Sequence, residues 1–183
     1  MKNHSLAPCF AALAVASAAS ADVTYTFDSL TLDALEFVQI FGGGTLTGTL
    51  TGVSVNATLV DSTRSWASDL TIYIDPPPVG GGALQVGGYT TFGATQRYWW
   101  SNGNSSAIGT VVNSAVTLTT PISFTGTAAD APVFLGNGFA GSGAFGTWTG
   151  SITLVGVSVV PAPGAIALLG LAGLATASRR RRA

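Results

Sequence analysis

Three aspartates, Asp61, Asp69 and Asp75, lie close together in the chain and flank one apolar, β-type stretch. Two carboxylates held ~5–10 Å apart could hydrolyse a glycoside, one as acid and the other as base or nucleophile. The same oxygens suit a hard cation such as calcium, which takes carboxylate and carbonyl ligands. They could equally end strands as solvated turn residues, and the Asp-x-Asp-x-Asp spacing of a dedicated calcium loop is missing. A second group, Tyr98-Trp99-Trp100 with Asn102 in the following Asn102-Gly103-Asn104 loop, has the chemistry of a glycan-binding patch. Rings stack on sugar faces, and the amide of Asn102 can bond sugar hydroxyls. Successive strand residues face opposite ways, so one of Trp99 and Trp100 can serve a given surface while the other packs inward.

Composition narrows the chemistry further. Between Asp22 and Val160 there are eight acidic residues and only two basic ones, Arg64 and Arg97, a net charge of −6. Such a body cannot neutralise a phosphate backbone, so nucleic acid is excluded as a partner. Met1, Lys2, His4 and Cys9 are each the sole residue of their type, and all precede the body. Without His there is no Ser-His-Asp triad and no imidazole zinc site. Without Cys there is no thiol chemistry or disulfide, and without Lys no Schiff base. Carboxylates, hydroxyls and oxygen ligands for calcium remain.

The elements that must position these groups read as strands. Val23, Tyr25 and Phe27 alternate with polar residues. Trp66, Ser68, Leu70, Ile72 and Ile74 share one phase, with Thr71 and Tyr73 on the other face. Between Leu46 and Val60 the apolar phase switches from even (Leu46, Leu50) to odd (Val53, Val55, Ala57, Leu59), which places a bulge or bend at Gly52. Further strands are predicted at Thr110–Thr119, Ile122–Thr125 and Thr147–Val159, and Leu32–Phe41 reads as either a helical turn or a strand. Asp75-Pro-Pro-Pro, Gly80-Gly-Gly, the Ser101–Ser106 loop and Gly136-Asn-Gly punctuate them. Many short strands at turn-marked intervals predict one all-β domain over residues 22–160, an antiparallel, jelly-roll-like β-sandwich.

Two stretches of this body carry a resemblance. Ser65-Trp-Ala-Ser-Asp-Leu-Thr-Ile-Tyr-Ile-Asp-Pro-Pro and Gly146-Thr-Trp-Thr-Gly-Ser-Ile-Thr-Leu are similar to the P domain found beside subtilisin-like proteases. Trp66, Asp69, Leu70, Pro76, Gly146 and Trp148 match its pattern. The resemblance implies a jelly-roll sandwich that is accessory rather than catalytic. Separately, Trp66 and Trp148 are expected to be buried in the core.

The two ends read as handling signals. Lys2 precedes an Ala-rich apolar run, and Ala19-Ser20-Ala21 places small residues at −3 and −1 of a cleavage site before Asp22, so residues 1–21 are expected to be a secretory signal peptide. At the other end, Pro161-Ala162-Pro163 precedes the uncharged run Ala165–Ser178 and then Arg179, Arg180, Arg181 and Arg182. As a helix the run would span about 21 Å at ~1.5 Å per residue, a short crossing of a bilayer core about 30 Å thick. The arginines would stay on the cytoplasmic side and snorkel to the interface.

This tail, residues 161–183, resembles the PEP-CTERM sorting signal of bacterial surface proteins, with Ala162 standing where that signal has Glu. The resemblance implies a short transmembrane helix that holds the chain in the inner membrane transiently. It also implies recognition and cleavage near Pro161–Pro163 by an exosortase-like membrane protease, and a setting of exopolysaccharide production. Taken together, the expectation is a secreted or cell-surface matrix protein without catalytic activity, associated with exopolysaccharide. A carboxylate-dependent glycan hydrolase and a calcium-dependent adhesion module are the alternatives. Mass measurement of the protein recovered from its native cell envelope should give a chain that begins near Asp22 and lacks Arg179–Arg182. Intact arginines on most of the extracellular material would refute the sorting reading.

Overall fold

The computed structural model describes residues 22–75 and 81–161. Ala19 and Ala21, expected to flank a signal-peptide cleavage site, Pro76, and the tail from Ala162 through Pro163 to Arg179–Arg182 lie outside them. Among the described residues no helix is long and apolar enough to cross a membrane. The chain forms β1 (Val23–Asp33), β2 (Phe37–Phe41), β3 (Leu46–Thr63), a 3-10 turn (Ala67–Asp69), β4 (Leu70–Ile74) and β5 (Leu84–Val86). There follow β6 (Gln96–Tyr98), β7 (Val111–Thr125), β8 (Val133–Asn137) and β9 (Phe145–Val159). One sheet has the order β1-β9-β3-β7 and the other β2-β8-β4-β5-β6. Every pairing is antiparallel except β5 with β6. The protein is an all-β sandwich.

Burial explains the pairing of the two sheets. Val53, Val55, Ala57 and Leu59 of β3, Ile152 and Leu154 of β9 and Val112 of β7 are buried against Leu70, Ile72, Ile74, Val133 and Leu135 of the facing sheet. The phase switch along β3 is real: Leu46 and Leu50 are buried on one side of Gly52 and the odd residues on the other. The ladders to β7 and β9 both shift register there. A Cβ on Gly52 would lie 2.8 Å from the carbonyl oxygen of Val116, so the bend brings the two backbones too close for a side chain.

Several local readings are corrected. Leu32–Phe41 is strand, turn and strand, the turn carrying Leu35 at a φ of 59°. Gly136 and Asn137 belong to β8 rather than to a punctuating turn. Gly136 packs beneath Phe37, and a Cβ there would come 2.2 Å from the ring, so this glycine serves close packing. All five residues of β4 are buried, including Thr71 and Tyr73. Their face is covered by the loop between β5 and β6, whose Phe92 packs edge-on against both Tyr73 and Phe37. Gln85 anchors this loop, donating from Nε2 to Thr90 O at 2.7 Å and accepting at Oε1 from Phe92 N at 3.0 Å.

The largest correction concerns Trp66. It is 45 % exposed, whereas Trp148 is wholly buried. The alternation of β4 does not extend back to Trp66 because the 3-10 turn at Ala67–Asp69 breaks the period of two. Trp148→Ala should therefore destabilise the protein by about 3–5 kcal/mol. Trp66→Ala should remain within about 0.5–1 kcal/mol of the native chain. Urea titrations of the two variants measure this, and equal losses would contradict the assigned placements.

Candidate functional site

Trp66, Tyr89 and Trp99 are 45 %, 68 % and 56 % exposed, yet they line one surface cleft. Its narrower lobe, about 270 Å³, is lined by these rings with Ser68, Asp69, Gly88, Trp100 and Asn104. The wider lobe, about 350 Å³, is lined by Arg64, Trp66, Asp69, Tyr89 and Phe139. Trp66, Asp69 and Tyr89 border both lobes, so the two adjoin across these residues. Exposed rings are costly to leave in water, and clusters of them mark surfaces that meet something else.

Each ring is held by a different element. Trp66 precedes the 3-10 turn, and its backbone N–H donates to Asp69 Oδ2 at 2.7 Å while Asp69 N donates to Trp66 O at 3.0 Å. Tyr89 stands on the loop after β5, where Gly87 and Gly88 adopt φ values of 81° and 75°. A Cβ on Gly87 would lie 2.1 Å from Trp100 Nε1, so only glycine lets the loop pass this close to the indole. The Tyr89 ring meets Phe139 edge-on at 6.2 Å between centroids. Trp99 lies on the Arg97 guanidinium, whose central carbon is 3.7 Å from the ring centroid. Arg97 in turn donates to the carbonyls of Tyr98 and Gly88, and so ties Trp99 to the Tyr89 loop.

The floor of the cleft is polar but occupied. Asp69 is buried, and burial pushes its carboxyl above the ordinary carboxylate value; bonds from the backbone amides of Trp66 and Tyr89 pull the other way. One carboxylate thus fixes the backbone beneath two of the three rings. Burial also lowers the Arg97 guanidinium, to about 10, which leaves it charged at neutral pH. Its Nε is buried with no hydrogen-bond partner among the described residues.

The structure treats the sequence-predicted residues unequally. Trp99 and Trp100 divide as expected, although both lie just past the end of β6: Trp99 faces the cleft, and Trp100 is buried with Nε1 donating to Leu70 O at 2.7 Å. Tyr98 turns away, its hydroxyl donating to Thr119 Oγ1 at 2.9 Å and accepting from Thr119 N at 2.7 Å. Asn102 is not a free binding group. Its amide donates to Asn113 O at 2.7 Å and accepts from Asn113 N at 2.9 Å, and so pairs with the edge of β7 as a strand would. Asn104, two residues on, reaches the cleft instead. Asp61, Asp69 and Asp75 are not gathered: among the described residues no three acidic side chains form a group that could hold a metal ion. Asp61 is exposed on β3, and its Oδ1 accepts from Ser62 N.

Sequence reasoning passed over Tyr89, Phe139 and the two arginines. The Gly87-Gly88 pair directly before an aromatic was the available signal, because it marks a backbone conformation that presents one ring. No family model, no curated protein and no solved structure matches the chain.

The raised value for Asp69 has a definite sign in stability. The folded state binds this proton more tightly than the unfolded chain, so stability falls as pH rises from about 3.8 through the raised folded value. Above that value the loss is complete. The advantage of the native chain over Asp69→Asn should therefore shrink as pH rises from about 3 to 7. Melting curves of the two proteins across this range test it, and an advantage that grows with pH would overturn the assignment.

Proposed function

We propose that this protein is a secreted or cell-surface matrix component that holds exopolysaccharide in the aromatic cleft without cleaving it. The observation that carries the reading is the convergence of three exposed rings from three separate segments on one groove. The faces of Trp and Tyr suit the apolar faces of pyranose rings, and Ser68, Asn104 and Arg64 at the margins suit their hydroxyls. A groove with mainly aromatic walls and few polar groups is the usual form of a small-ligand site. Binding is favoured over hydrolysis because the groove's lining contains one carboxylate among the described residues, where two-carboxylate hydrolysis needs a pair.

Delivery to the surface is part of the same proposal. The signal peptide and the arginine-ended tail support export, membrane retention and release by an exosortase-like enzyme. The strand order supports the jelly-roll reading: β1-β9-β3-β7 facing β2-β8-β4-β5, with β6 added at the edge beyond β5, follows the order in which two Greek keys wind across two sheets. This is compatible with the accessory role that the P-domain resemblance implies.

The test is retention of the secreted protein on exopolysaccharide purified from the producing cells. Tyr89→Ala and Trp99→Ala should each weaken binding about tenfold or more, about 1.4 kcal/mol. Trp100→Phe, a buried change, should alter stability more than affinity. Undiminished retention in both exposed-ring variants would refute the site, and release of reducing sugar would favour the hydrolase.

A further inference from the structure

Arg64 and Arg97 are the only basic residues in a body of net charge −6; Arg64 lines the aromatic cleft, and Arg97 packs on Trp99, one of its rings. An acidic surface repels anionic ligands generally, so an anion is held best beside these two charges. Arg64 reaches the wider lobe from the end of β3, beside Trp66, Tyr89 and Phe139. Arg97 packs on the ring of Trp99, which lines the narrower lobe. One arginine therefore lines the groove and the other packs on one of its rings.

Arg64 is placed there by its backbone. Its φ is 69°, a left-handed conformation that a residue other than glycine adopts only under strain. The strain turns the chain out of β3 immediately before Trp66, while an isolated bridge to Phe145 holds the backbone. The side chain is exposed, and among the described residues its one hydrogen bond runs from Nη1 to Ser142 O at 3.1 Å. Most of its five donors stay free to meet a ligand. The other charged group of this lobe is Asp69, which is buried and accepts two backbone amides, so its repulsion of an incoming anion is partly offset.

We infer that the cleft recognises an acidic polysaccharide, and that Arg64 grips the carboxylate of a hexuronate ring stacked on Tyr89 and Trp66. The inference rests on the glycan-binding reading and names its ligand class. A pyranose carries its uronate carboxyl at the ring edge. A sugar lying on the aromatic walls thus presents that group toward the rim, where Arg64 stands. The planar guanidinium matches the two coplanar oxygens of a carboxylate and can bond both. Arg97 contributes differently: packed beneath Trp99 and bonded to Gly88 O and Tyr98 O, it positions the ring and adds its charge from behind.

Calorimetry of the secreted protein with polygalacturonate and with the same polymer after carboxyl reduction tests this. The uronate form should bind about tenfold or more tightly, and the preference should shrink in about 1 M salt. Arg64→Gln should reduce the ratio to about one. Arg64→Gly should do the same while its melting temperature holds or rises, because glycine accepts the left-handed backbone; the loss is then not a loss of fold. Equal binding of the two polymers, still sensitive to Tyr89→Ala, would overturn the acidic-ligand inference alone. Dextran sulfate bound as tightly as polygalacturonate would overturn the carboxylate assignment in favour of plain ion exchange. No binding of either polymer would overturn this inference and the glycan-binding reading together.

Discussion

Two buried indole N–H groups hold the segment on which everything at the cleft depends. Trp100 Nε1 donates to Leu70 O at 2.7 Å and Trp148 Nε1 donates to Ala67 O at 3.2 Å, so the carbonyls on either side of Ser68 and Asp69 are fixed from opposite elements. A buried indole must find an acceptor, and a carbonyl in a non-repetitive turn must find a donor. Each need answers the other. The remaining groups of the segment are met as completely: Ala67 N and Ser68 N donate to Ser105 O and Gly103 O, and Gly138 N donates to Asp69 O. The 3-10 turn is thus a rigid platform, although it lies between strands. Trp66 is exposed at its start and Asp69 buried at its end for this reason.

The rest of the body shows what a sandwich does without lysine. On the outer face of the β1-β9-β3-β7 sheet, Thr26, Ser151, Asn56 and Asn113 stand side by side across all four strands, and Thr24, Thr153, Ser54 and Ala115 form the next row. Within the second row Thr24 and Thr153 share a hydrogen bond at 2.9 Å. Short polar side chains keep this face wettable at little cost in side-chain entropy. The open edge of β7 is blunted by side chains rather than by charge: Asn102, Gln96 and Tyr98 bond its backbone. Such an edge resists pairing with another chain without the lysines that usually guard it. Of the two arginines in the body, Arg64 lines the cleft and Arg97 packs on the ring of Trp99.

Sequence periodicity determined much of the architecture, because burial on one face of a strand writes a period of two directly into residue type. The bend at Gly52 and the opposite facing of Trp99 and Trp100 were both legible in the local pattern. Composition likewise removed imidazole, thiol and amine chemistry from the body before any fold was known. The tertiary structure decided what local pattern could not. It placed Trp66 outside the core, since a single 3-10 turn cancels the phase inherited from β4. It buried Thr71 and Tyr73 beneath a loop whose cover depends on Gln85 and Phe92, residues distant in sequence from the strand they shield. Above all, it joined Arg64, Trp66, Tyr89, Trp99 and Phe139 into one groove. These residues share no spacing or motif. They meet because the β5–β6 loop folds back across one sheet, and a contact between segments that far apart in the chain leaves no periodic trace in the sequence.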